Sequence, residues 1–169
     1  MAWSTSAIFQ QAMLNPIAGR CWTTAAPTSY SSLSADTVNC ALFGSAVTPD
    51  KTAAVGSTGY NTGTWTTGNE TSGSGYAAGG SALASKAFAI DTGSSSICFT
   101  AANVSWSTAT ITASGDLIYD STISGGTVAK QGLCFNYFGG SQSVTSGTFT
   151  IQWATPSGAA VTAVFNITV

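Results

Sequence analysis

From residue 38 onward the chain repeats one pattern that leaves little room for anything but antiparallel strands. At 148–153, Thr148, Thr150 and Gln152 alternate with Phe149, Ile151 and Trp153, the period-two signature of a half-buried strand. Short apolar or alternating runs recur at 38–46, 86–91, 97–100, 104–106, 108–113, 116–120, 132–138, 148–153 and 160–169. Gly, Ser and Thr turns separate them. No helical period long enough for an α/β fold interrupts the series, and no fixed-length repeat suggests a solenoid. The pattern predicts an all-β domain over 37–169, a β-sandwich or a jelly-roll-like fold.

The first 36 residues read differently. Residues 7–14 include Ile8, Phe9, Gln10, Gln11, Met13 and Leu14, helix formers with Ser4, Thr5 or Ser6 placed as N-cap. Asn15-Pro16 ends that run, because the residue before proline is pushed out of the α region. A short helix and an extended arm are therefore expected over 1–36, either reaching a neighbouring subunit or capping their own sandwich. Between 48 and 81 the chain is a Gly/Thr/Ser stretch too long for an ordinary turn, with Tyr60, Trp65 and Tyr76 as its aromatic anchors. Trp65 is expected near the surface, whereas Trp106 and Trp153, on alternating strands, are expected in the core.

Charge limits the function classes. Only 6% of residues are charged, against roughly 25% in typical soluble domains. Aromatic residues at 11% argue against disorder. The longest apolar runs are too short to cross a membrane as helices, and no secretory-signal pattern opens the chain. A net charge of −2 offers little self-repulsion, so the protein is expected to spend its life docked to neighbours. Arg20, Lys51, Lys86 and Lys130 are scattered, which makes nucleic acid a poor partner.

Candidate chemistry is sparse. With no histidine, no Ser-His-Asp or Cys-His arrangement assembles. The four cysteines, Cys21, Cys40, Cys98 and Cys134, contain no C-x-x-C, so a zinc site is not expected. They formally allow three disulfide pairings, but Cys40, Cys98 and Cys134 lie in apolar runs and read as buried thiols. Asp91-Thr92-Gly93-Ser94 follows an apolar strand as in aspartic proteases, which need two such loops to bring two carboxylates together. No second loop exists, so the motif reads as a tight turn. Asp116 and Asp120, four apart on one strand face, are too distant for a retaining glycosidase pair. Neither catalytic residues nor a cofactor or metal site is expected.

Several segments in succession resemble a family of small β-rich structural proteins of tailed-bacteriophage virions. They are Val38–Phe43 followed by Pro49-Asp50, then Gly75-Tyr76-Ala77-Ala78-Gly79-Gly80-Ser81-Ala82-Leu83. Next come Val104-Ser105-Trp106-Ser107-Thr108-Ala109-Thr110-Ile111-Thr112-Ala113 and Gly115-Asp116-Leu117-Ile118-Tyr119-Asp120. Residues 135–138 and Ser146-Gly147-Thr148-Phe149-Thr150-Ile151-Gln152-Trp153 close the series. The resemblance implies a non-enzymatic capsid decoration or minor capsid protein, a homo-oligomer, with a trimer favoured, bound to the major capsid protein. It also implies thiols kept reduced, since virions assemble in the bacterial cytoplasm. Trp3, Ile8, Phe9, Met13 and Trp22 are the expected docking residues, with Tyr60 and Trp65 facing a neighbour or an exposed tip. The alternatives are a tail-tube or tail-tip component and a glycan-binding surface module.

Overall fold

Two long strands organise the molecule, β6 (Val104–Asp120) and β7 (Gly132–Ile151), paired antiparallel from Val104↔Ile151 to Tyr119↔Gly132. The computed structural model describes residues 3–10, 33–125, 128–155 and 161–168. Around the central pair lie β1 (Ala7–Ile8), β2 (Val38–Phe43) and β3 (Ser81–Ala82), giving a five-stranded sheet of order β1-β7-β6-β2-β3. A second sheet has the order β4-β5-β8, from Ala87–Asp91, Ser96–Thr100 and Phe165–Thr168. All pairings are antiparallel, and the two sheets make a β-sandwich.

Sequence periodicity divides β6 into three strands. In the structure the divisions are register shifts, between Trp106 and Ala109 and between Ala113 and Gly115. A bulge absorbs extra residues without ending the strand, and Thr108 takes a left-handed φ of 51° at the first of them. β7 likewise continues through 139–147, which the alternation alone leaves outside any strand.

The first half of β6 alternates buried and exposed residues, whereas every residue from Ala113 to Asp120 is buried. That change reports a sheet covered on both faces. On one face, Val38, Cys40, Leu42, Ile118 and Cys134 join Phe99 and Val164 of the second sheet region in the intersheet core, with Trp106 and Trp153 as expected. On the other face, Phe43, Leu117 and Phe135 of the main sheet form a second apolar cluster with Trp3 and Phe9 of the N-terminal segment and Trp65 of the long glycine-rich loop.

The helix expected from residue 7 is not formed there. Ala7 and Ile8 pair with Phe135 and Cys134, and the Phe9 N–H continues the ladder to the Leu133 carbonyl at 3.0 Å. Alternation explains the outcome: Phe9 enters the outer cluster while Ile8 packs against the intersheet core. Pairing with the free edge of β7 overrides the helix preference of the local sequence, a weak preference in any tertiary context. Residues 11–32, with the rest of the expected helix and most of the arm, lie outside the described residues.

Trp3 is fixed by a hydrogen bond from its indole Nε1 to the Gly44 carbonyl at 2.8 Å. Its ring lies so close to Gly115 that a Cβ there would sit 2.5 Å from Trp3 Cζ3. A glycine in mid-strand normally weakens a sheet; here it admits the tryptophan.

Candidate interaction surface

Among the described residues, those expected to dock do not form an outward surface. Trp3, Phe9, Tyr60 and Trp65 meet inside the outer cluster, Trp65 being only 1% exposed. Trp65 contacts Trp3, Phe9 and Phe43 with ring centroids 5.8, 6.0 and 5.1 Å apart, all edge-on. Tyr60 stacks on Tyr119 at 4.7 Å. Ile8 is half-buried against the intersheet core, and Met13 and Trp22 fall outside the described residues. The placement of Trp65 near the surface and of Trp3, Phe9 and Tyr60 in docking roles is thus corrected. Their burial stabilises this chain's own fold. The anchoring role of Tyr60, Trp65 and Tyr76 in the long loop is what the structure shows.

That loop is gathered around one carboxylate. Glu70, itself buried, accepts hydrogen bonds from the Tyr60 hydroxyl at 2.7 Å, the Tyr76 hydroxyl at 2.6 Å and the Gly79 N–H at 2.7 Å. Burying a carboxylate is costly unless such donors surround it. Burial and the Glu70 carboxylate together raise the pKa of both tyrosines.

The apolar surface lies elsewhere, on the three-stranded sheet. Antiparallel partners share a face, so the registers place Phe88, Phe99 and Phe165 in one row and Ile90, Ile97 and Ile167 in the next. The phenylalanine row runs toward the core: Phe99 is fully buried, and its ring stands 5.1 Å from that of Phe88 and 5.2 Å from that of Phe165. The isoleucine row continues the same face into solvent. Phe88 is 49%, Ile90 82% and Ile97 38% exposed. β4, which carries two of these side chains, is also the edge of its sheet. The sequence holds a signal for this face: in Ala87-Phe88-Ala89-Ile90, small residues alternate with large apolar ones, so the face bearing the large ones is apolar throughout.

The Asp91-Thr92-Gly93-Ser94 motif closes the β4–β5 hairpin as a turn. Asp91 Oδ1 accepts from the Gly93 N–H at 2.9 Å and the Ser94 N–H at 3.1 Å, the local bonding that makes Asp a turn residue.

Asp116 and Asp120 are both buried. Burial pushes Asp116 up to about 7, against the pull of the Asn136 side-chain and backbone N–H groups, 2.9 and 3.2 Å from its Oδ1. Burial likewise lifts Asp120 to about 6, opposed by the Thr122 N–H at 2.8 Å, with neighbouring Asp36 adding to the rise. The Cys40 and Cys134 thiols, buried beside Asp116, are raised well above their ordinary range, first by desolvation and then by that carboxyl. Both are free, as is Cys98. Raised pKa and burial make them inert packing groups rather than nucleophiles. Among the described residues, no group of three or more Cys, Asp or Glu side chains is placed to hold a metal ion.

No protein-family model, curated protein or solved structure matches this chain.

Proposed function

We propose that this protein is a non-enzymatic assembly component of a bacteriophage particle. In this reading it is a capsid decoration or minor capsid protein that self-associates on the lattice of the major capsid protein, with a trimer favoured. The observation that carries the reading is the exposed apolar face of Phe88, Ile90 and Ile97 beside the outer edge of β4, which among the described residues pairs with no further strand. Exposed apolar surface next to an unpaired strand edge is a liability for a solitary domain and an asset for one that meets a partner. The occupant proposed is a second copy of the chain. Only ten of 169 residues are charged and the net charge is −2, so two copies approach with little repulsion. Each contact then gains from burial of that face, and a lattice multiplies a modest contact many times over.

The resemblance of residues 38–169 to virion proteins supplies the particle; the apolar face supplies the mode of attachment. Trp3 and Phe9, once candidates for docking, stabilise the domain that presents it. Immunogold labelling of intact particles with antibody to this chain tests the assignment, with label over the head as the expected result. Label on the tail alone supports the tail-component alternative, and unlabelled particles contradict the assignment.

A further inference from the structure

We infer that the open cleft between the β1–β7 edge and β8 is a binding site for a neutral oligosaccharide. The cleft has a volume of about 950 Å³, near the upper end of what ligand sites of small molecules occupy. Its lining residues include the aromatic Phe138 and Phe149 and the amide-bearing Asn136, Gln142 and Gln152. A sugar ring presents the complementary surface, a C–H face for an aromatic wall and adjacent hydroxyls for an amide, which both donates and accepts.

Asp116, a wholly buried member of the lining, accepts two hydrogen bonds from Asn136, at 2.9 Å from its side-chain amide and 3.2 Å from its backbone N–H, and so fixes that amide at the cleft. The charge of the lining selects among ligands. Among the described residues of the lining, Lys51 is the one basic residue, so the cleft does not suit a polyanion.

This site is independent of the self-association face, which lies on β4 and β5. The test is a glycan array probed with the full-length protein, followed by calorimetric titration with maltotriose, cellotriose, triacetylchitotriose and any array hit. Gln142→Ala and Gln152→Ala alter exposed side chains and serve as variants, each checked for unchanged thermal unfolding. Saturable binding of a neutral glycan, weakened about tenfold in each variant by loss of a hydrogen bond, is the expected result. Absence of binding to every neutral glycan overturns the inference. So does binding that both variants retain in full, or a preference for acidic glycans or unglycosylated peptide.

Discussion

The Tyr60 hydroxyl donates to Glu70 Oε2 at 2.7 Å, and through this bond ten residues of glycine-rich loop are closed over the outer face of the main sheet. The Tyr76 hydroxyl and the Gly79 N–H complete the shell around the carboxylate. Glu70→Gln replaces one acceptor oxygen by a donor facing another donor. The expected cost is about 1–3 kcal/mol, read from urea unfolding, with faster amide exchange across 59–80. Tyr60→Phe, which removes one hydroxyl and leaves the stacking on Tyr119, should cost about 1 kcal/mol.

Trp3 and Gly115 make a matched pair 112 positions apart in sequence. Truncating Trp3 to Ala should destabilise the domain by about 3–5 kcal/mol, the usual cost of removing a large buried aromatic side chain. Gly115→Ala should also destabilise it, because the added methyl meets the Trp3 ring and the Asn136 carbonyl. The two effects should be less than additive, since either change alone breaks the same contact. A free N-terminal arm would leave the Trp3→Ala variant as stable as the parent and the two effects simply additive.

Asp116 gives stability a pH dependence of a definite sign. Its folded pKa, about 7, lies above the ordinary aspartate value of 3.8. The folded state therefore holds a proton that the unfolded chain has released, and the stabilisation is complete only below about pH 4. It falls as pH rises to about 7 and then levels off, by a few kcal/mol at most. Asp120 adds a smaller decline ending near its own folded value of about 6. Asp116→Asn should flatten most of the slope between pH 4 and 7, measured by chemical denaturation at a series of pH values. A slope unchanged in this variant would remove Asp116 as its source.

Much of the fold was legible because the strands announce themselves by alternation. Ile97, Phe99 and Ile151 sit in the strands the pattern assigned them, and the core positions of Trp106 and Trp153 follow from the same reasoning. What alternation does not encode is covering. Trp65 lies in a glycine-rich loop, ordinarily a surface feature, yet this loop is the lid of the outer core. The N-terminal segment was misread for a related reason: Ala7 to Gln10 carry no strong strand signal, and the free edge of β7 supplies the partner that makes them extended. The Phe88–Ile90–Ile97 face went unassigned because a wholly apolar run reads as buried on both sides. Only the position of β4 at the sheet edge shows where that face meets solvent.

Self-association through that face is the central claim, and sedimentation velocity over a concentration series of the parent protein and the Ile90→Lys variant tests it most directly. Ile90 is 82% exposed, so the lysine is tolerated by the fold, while its charge opposes burial against another copy. The account predicts that the parent sediments as an oligomer at high concentration and the variant as a folded monomer. A parent that stays monomeric throughout, or a variant that assembles as the parent does, would contradict it.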